Sequence, residues 1–186
     1  MLTLTLIFLV KIFIDFYIKA ILLRVWIQWA HCDFYHQLTK IIVQLTQLLV
    51  NLTYRIISPL APLDKTLLFL GFILACIKFP LLKIMIADIP TLDSIYLLVG
   101  ILTLVKAIID LVFWVMIIHS LLTWISPSFS PINIFFYQLS ELLLSRIRLI
   151  IPVISGIDLS TTIIIMFIYL INSLLSYYFP EIWVNL

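Results

Sequence analysis

Lysine and aspartate recur four residues apart inside two long apolar stretches of this sequence. The first stretch contains KIFID, from Lys11 to Asp15, and the second contains KAIID, from Lys106 to Asp110. Residues four apart share one face of a helix, so each pair places opposite charges side by side. A charge in the middle of a bilayer costs at least about 2.5–3.5 kcal/mol, and an adjacent opposite charge reduces that cost. The pairs therefore fit either a polar path for ions or protons or a link that holds membrane helices together.

Two further lysines extend this set. Lys19 follows Asp15 by one more turn, and Lys78 lies in another apolar stretch. The sequence has only three glycines, which leaves little scope for close glycine-mediated packing of membrane helices and favours polar links between them. The charges predicted to lie within the membrane are Lys11, Asp15, Lys19, Lys78, Lys106 and Asp110.

The composition indicates a membrane protein. Hydrophobic residues make up 65% of the 186 residues and charged residues 11%, whereas soluble domains have about 45–50% apolar and about 25% charged residues. Helices are the expected spans, because a helix satisfies its own backbone hydrogen bonds in lipid. Interfacial anchors are predicted at Trp26, Trp29 and Trp124, which fall near span ends. Four stretches have roughly the 20 apolar residues that a span needs: residues 4–29, 67–86, 95–124 and 159–178.

Two other segments, residues 38–57 and 132–151, have the periodicity of amphipathic helices. Such a helix can lie in the membrane surface or pack on the spans of its own protein, and one helix can do both. The polar positions are Lys40, Gln44, Gln47 and Asn51 in the first segment and Gln138, Glu141, Ser145 and Arg148 in the second.

The two halves of the chain match in register. Lys11 and Asp15 align with Lys106 and Asp110 at a shift of 95 residues, and Lys78 aligns with Asn172 at a shift of 94. Matches on charged residues are rare by chance in such an apolar chain, so the sequence predicts an internal duplication. Residues 1–90 form the first repeat and residues 91–186 the second. Each repeat has two spans, so both enter the membrane from the same side, unlike the inverted repeats of many transporters.

Each predicted surface helix ends in a related loop, YRIISPLAPLD at residues 54–64 and RLIIPVISGID at residues 148–158. Proline ends a helix, and aspartate suits the N-terminus of the span that follows. The same residues could instead form a docking surface for anionic lipid headgroups or a partner protein. The motif residues are Arg55, Pro59, Asp64, Arg148, Pro152, Gly156 and Asp158.

Lysine and arginine are concentrated in the two segments that contain the predicted surface helices, whereas the chain termini have none. This bias predicts that the surface helices are cytoplasmic and that both termini are periplasmic. The basic residues concerned are Lys40, Arg55, Lys65, Arg146 and Arg148.

Over essentially its whole length the chain resembles the YggT family of small bacterial inner-membrane proteins, whose relatives also occur in plastids. The resemblance rests on RVWIQWAHCDFY at residues 24–35, on the duplicated loops, and on WISPSFSPI at residues 124–132. It implies a link to osmotic-stress tolerance and to ion uptake. In plastid relatives it implies cytochrome assembly and membrane organisation.

We therefore predict an all-α membrane protein with four transmembrane helices, arranged as two parallel two-span repeats that each carry an amphipathic surface helix. The expected function is that of a non-enzymatic, multi-pass protein of the bacterial inner membrane, linked to osmotic stress and acting as a membrane organiser or accessory subunit. The expected partners are the lipid bilayer and either another membrane protein or further copies of the chain. The sequence points to no nucleic acid, small-molecule substrate, metal or cofactor.

Two alternatives stay open. A small ion channel or transporter subunit for K⁺ or H⁺ would use the intramembrane charges. An assembly factor for a membrane cytochrome would use His31, Cys32 and His119. Enzyme signatures such as a Ser/His/Asp arrangement or the zinc-binding HExxH motif are missing from the sequence.

Overall fold

The computed structural model describes residues 2–32, 37–56, 63–85, 95–125, 130–149 and 159–185, with most of the side chains in these ranges. These residues form helices and contain no strand, which confirms the all-helical class. The helices are α1 (Leu2–Trp29), α2 (Gln37–Ile56), α3 (Leu63–Met85), α4 (Ile95–Ile125), α5 (Pro131–Arg148), α6 (Leu159–Tyr178) and α7 (Pro180–Asn185).

Three helices are long and apolar enough to cross a bilayer, which indicates a membrane protein. The qualifying segments are Lys65–Met85 in α3, Tyr96–Thr123 in α4 and Ser160–Tyr178 in α6. The fourth predicted span, residues 4–29, forms the helix α1. This helix is not one of the three qualifying segments, because the charged residues Lys11, Asp15, Lys19 and Arg24 interrupt its apolar residues.

Contacts divide the chain into two compact units. The first unit consists of Met1–Val25, Ile41–Ile108 and Leu186, and the second of Trp26–Lys40 and Ile109–Asn185. The core of the first unit joins α1, α2 and α3 through Ile21, Val25, Val50, Leu67 and Leu70. The core of the second unit joins α4, α5 and α6 through Met116, Leu144, Ile164 and Ile168.

Local sequence explains two of the helix ends. The Ser130 hydroxyl accepts a hydrogen bond from the Asn133 N–H, and Pro131 occupies the first position of α5, as is usual at a helix start. At the end of α1, His31 N–H donates to Gln28 C=O and Cys32 N–H to Ile27 C=O. This is the Schellman pattern, and it puts His31 at the left-handed position (φ 50°) that is usually glycine.

The C-terminal helix α7 was not predicted from the sequence. It follows α6 after a bend at Phe179, and the buried Trp183 donates its indole N–H to Asn172 Oδ1 at 2.8 Å. The tail of the second unit therefore folds back onto α6.

Candidate functional site

An ion pair joins α1 to α3 in the first unit. Lys78 Nζ donates to Asp15 Oδ1 at 2.6 Å. The lysine side chain has no exposed surface, and the aspartate side chain is 28% exposed. A buried charge is tolerated only with a partner, so the carboxylate of Asp15 compensates the charge of Lys78 inside the unit. The pair links two helices of the same predicted repeat, not the two repeats to each other.

Other lysines of the predicted set lie near this pair. Lys11 and Lys106 are close enough for their positive charges to act on Lys78. Asp110 belongs to the second unit. The spacing along α1 predicts Lys11, one turn away, as the partner of Asp15. The contact with Lys78, which is 63 residues distant in the sequence, was not predicted. A usable signal was present, since Lys78 is a lone charge between Lys65 and Lys83 in an apolar helix.

The aligned position of the second unit has different chemistry. Asn172 corresponds to Lys78 in the sequence register, and its amide oxygen accepts the hydrogen bond from Trp183. In the first unit a lysine donates to a carboxylate. At the aligned position of the second unit a neutral amide accepts from an indole N–H.

Polar side chains of α1 hold α2 at a single turn. Arg24 Nη1 donates to Thr46 Oγ1 at 2.7 Å, and Tyr17 Oη donates to the Leu45 carbonyl at 3.0 Å. Arg24 and Tyr17 are seven residues apart, or about 10 Å along the axis of α1 at 1.5 Å per residue. Both side chains therefore attach the same turn of α2 to α1.

The middle of α2 has three distinct faces. Thr46 and Val50 are buried in the first unit. A second face exposes the apolar side chains of Ile41, Leu45 and Leu48, which are 52%, 42% and 67% exposed. We call these three residues the α2 stripe. The third face exposes Gln44, Gln47 and Asn51. The helix therefore packs on its own protein and still presents an apolar surface to its surroundings.

The corresponding helix of the second unit, α5, buries some of its apolar side chains and exposes others, among them Ile134 and Leu142. Phe135, Leu139 and Leu144 are buried, and Leu144 belongs to the core formed with α4 and α6. The buried His119 ring of α4 lies 6.2 Å from the Tyr137 ring of α5. His119 aligns with Arg24 in the sequence register, so both units place a nitrogen-bearing side chain of a long helix against the amphipathic helix.

The predicted loop motif is largely untested. Arg148 donates to Glu141 Oε2 at 2.6 Å near the end of α5. Arg55 lies on α2 and Asp64 in the first turn of α3, but their side chains fall outside the described set. Four motif residues lie outside the described residues altogether: Pro59, Pro152, Gly156 and Asp158.

The predicted tryptophan anchors differ from one another. Trp29 is exposed, as an interfacial anchor should be. Trp26 is buried on the same face of α1 as Leu22, one turn earlier, and its role as an anchor stays a prediction. Trp124 lies on α4, with its side chain outside the described set.

The residues considered for cytochrome assembly differ in exposure, since Cys32 and His119 are buried and His31 is exposed. Burial raises the pKa of the Cys32 thiol to about 11. A metal would have to displace that proton, because a metal-binding cysteine is a thiolate. Within the described ranges, no group of three or more His, Cys, Asp or Glu side chains could hold a metal ion.

Comparison with known proteins gives a consistent result. The model of the CCB3/YggT family matches residues 3–85 and 98–179. The chain is 37% identical to the uncharacterized protein YggT of Escherichia coli (strain K12) over 168 residues, or 90% of this chain and 87% of that protein. It is 35% identical to an uncharacterized protein in the proC 3′ region of Vibrio alginolyticus, over 96% of this chain and 97% of that protein. No solved structure matches the chain.

Proposed function

Because the chain belongs to the CCB3/YggT family, we propose that it is a non-enzymatic inner-membrane protein that supports osmotic-stress tolerance as a membrane organiser or accessory subunit. In this proposal α2 and α5 are on the cytoplasmic side of the membrane and both termini are periplasmic. The surface helices engage lipid or a membrane-protein partner, and the ion pair holds the spans of the first unit together.

The observation that carries this proposal is the geometry of α2. One turn of the helix is fixed to α1 by Arg24 and Tyr17, and its middle exposes the α2 stripe next to a polar face. An exposed apolar stripe beside a polar face is what a helix lying in a membrane surface requires. The same unit contains the apolar helix α3, which is able to cross that membrane.

We further propose that α1 is a fourth span. Its outward side is apolar, with Leu9, Phe13 and Phe16 all exposed. One of its charges, Asp15, is paired with Lys78 on the inward side. Charges in transmembrane helices are expected to face the protein interior in this way.

Two observations support the proposed duplication into parallel repeats. The family matches begin at residues 3 and 98, which are 95 apart, and end at residues 85 and 179, which are 94 apart. These are the two shifts found by aligning the halves. The order of helices also repeats, with a long apolar helix, an amphipathic helix and a second apolar helix in each half.

The experiment that tests the proposed function is complementation under osmotic stress. A strain lacking the gene is expected to survive a sudden rise in osmolarity less well than its parent, and the intact gene should restore survival. A Leu45→Gln/Leu48→Gln variant should accumulate in the membrane without restoring survival, whereas the matched polar-face variant Gln44→Asn/Gln47→Asn should restore it. Equal survival with and without the gene would refute the link to osmotic stress.

The buried Asp15–Lys78 pair favours a second candidate, a small channel or transporter subunit for K⁺ or H⁺. Ionisable groups inside a membrane often mark ion or proton paths. Purified protein in liposomes is expected to pass neither ion above an empty-vesicle control if the pair is structural. A flux that Asp15→Asn abolishes would instead establish the channel.

A further inference from the structure

The charge pattern of α2 limits what its surface can recognise. From residue 41 to residue 51 the helix has no charged residue, and its charges are confined to Lys40 and Arg55 near the two ends. The polar face beside the α2 stripe consists of the neutral side chains Gln44, Gln47 and Asn51. Surface helices that bind anionic lipids electrostatically have a polar face rich in lysine and arginine. The middle of α2 lacks that means of attachment.

The apolar surface of α2 continues onto α1. The Tyr17 hydroxyl donates to the Leu45 carbonyl, and the Phe13 and Tyr17 rings are in contact, with centroids 5.3 Å apart. Phe13 is exposed on the outward side of α1 and Leu45 belongs to the exposed α2 stripe. The stripe therefore adjoins the face that α1 would present to acyl chains, and acyl chains are the occupant that fits both surfaces.

We propose that α2 senses lipid packing: the α2 stripe inserts between loosely packed acyl chains and withdraws when the chains are tightly packed, independently of headgroup charge. This inference rests on the proposed function, in which α2 lies in the membrane surface. Its physical basis is that apolar contact alone holds the middle of the helix in the bilayer. The strength of that contact depends on how much apolar area the lipid leaves accessible.

The attachment of α2 to α1 explains how the stripe can respond to lipid packing. Arg24 and Tyr17 hold one turn of α2 against a helix that is itself proposed to span the membrane. That turn therefore stays at a set depth, and a change in lateral packing at that depth changes how far the stripe enters the lipid. Stretching of the bilayer by osmotic swelling is one way to loosen the packing.

The experiment places a fluorophore on the α2 stripe of the full-length protein. Leu48→Cys is labelled in a Cys32→Ser/Cys76→Ser background, and a quencher attached to the lipid acyl chain reports insertion. Vesicles of phosphatidylcholine with one or two unsaturated chains vary the packing, and phosphatidylglycerol varies the charge. Quenching is expected to rise with unsaturation and with osmotic swelling, and to be unaffected by phosphatidylglycerol or salt. A label at Gln47, on the neutral polar face, is the matched control and should show little quenching in any vesicle.

The possible failures are distinguishable. Strong quenching at residue 48 that ignores unsaturation and swelling would overturn the sensing proposal and leave α2 in the membrane surface. Quenching that follows phosphatidylglycerol and falls with salt would overturn it in favour of headgroup recognition. Absence of quenching in every vesicle, with circular dichroism showing a folded protein, would overturn both the sensing proposal and the proposed function.

A gain-of-charge variant sharpens the test. Gln44→Lys/Gln47→Lys adds positive charge to the polar face and leaves the α2 stripe intact. Quenching at residue 48 in this variant is expected to become dependent on phosphatidylglycerol and salt. If the variant behaves like the unmodified helix, headgroup charge does not reach this face, and the proposed position of α2 in the interface is wrong.

Discussion

The first and second units each join two helices through a polar side-chain pair, but the chemistry of the pairs differs. Lys78 and Asn172 occupy aligned sequence positions. In the first unit Lys78 joins α3 to α1 through Asp15, and in the second Asn172 joins α6 to α7 through Trp183. Both arrangements give a buried polar group its partner, which is the general requirement inside a protein. They differ in what happens when a partner is lost, because an orphaned charge is far more costly than an orphaned amide. The first unit should therefore be the more fragile one.

The difference also extends to the amphipathic helices. Both helices bury one side in their unit and expose apolar side chains on another, which in α5 are Ile132, Ile134, Tyr137 and Leu142. They differ in charge: the middle of α2 is neutral, whereas α5 has Glu141, Arg146 and Arg148. Substitutions on the exposed face of α2 are expected to change membrane behaviour, and substitutions on the buried side of α5 to change stability.

The largest expected effect comes from removing one side of the ion pair. Lys78→Met leaves the partly exposed Asp15 carboxylate without this partner, so the loss should approach but not exceed the cost of breaking a fully buried pair, about 3–5 kcal/mol. The measurement is the free energy of unfolding in mixed detergent micelles. Lys83→Met on the same helix removes a lysine that lies over the Tyr96 ring at 5.6 Å, and its cost should be at most about 1 kcal/mol.

A double substitution sharpens this prediction. Lys78→Met/Asp15→Leu removes both charges, and replacing a buried pair by apolar residues is often neutral or stabilising. The double variant is expected to be more stable than Lys78→Met alone. If it is equally unstable, the packing of the lysine stem matters more than the charges, and the contrast between the units loses its basis.

The sequence predicted the bounds of some helices because those bounds depend on neighbouring residues in the sequence. The bounds of α6 coincide with the predicted span at residues 159–178, since its apolar residues end abruptly at charged or proline-containing segments. The partner of Asp15 could not be read in the same way, because Lys78 comes close only when α3 packs on α1. The helix α7 was missed because six residues show no clear periodicity, and its position depends on the Trp183–Asn172 hydrogen bond.

The scarcity of glycine was likewise a poor guide to close packing in the first unit. A methyl group on Gly100 of α4 would overlap Cys76 Sγ and come within 3.2 Å of Cys76 Cα on α3. Gly100→Ala is therefore expected to destabilise the unit by about 1–3 kcal/mol, the usual cost of overpacking. Gly71→Ala is the control, because its methyl group would meet only Ile21 and Leu104 at 3.8 Å. Equal melting temperatures for the two variants would contradict the close contact.

The next effect concerns the second unit. Trp183→Phe keeps most of the aromatic ring and removes the N–H that donates to Asn172. Hydrogen bonds between membrane helices contribute about 0.6 kcal/mol on average and at most about 1.7 kcal/mol. A loss in this range, well below that of Lys78→Met, is expected from the same unfolding assay. A loss as large as that of Lys78→Met would show that the neutral pair is no more tolerant than the charged one.

The smallest effect is a stabilisation at the end of α1. His31 occupies a left-handed conformation with φ at 50°, where the Schellman hydrogen bonds of His31 and Cys32 require it. That conformation costs a residue with a Cβ roughly 1–2 kcal/mol, and glycine avoids the cost but loses about 0.5–1 kcal/mol more in backbone entropy on folding. His31→Gly should therefore raise the free energy of unfolding by about 0.5–1 kcal/mol, whereas His31→Ala, which keeps the Cβ, should not. A destabilising His31→Gly would mean that the imidazole makes a contact worth more than the strain.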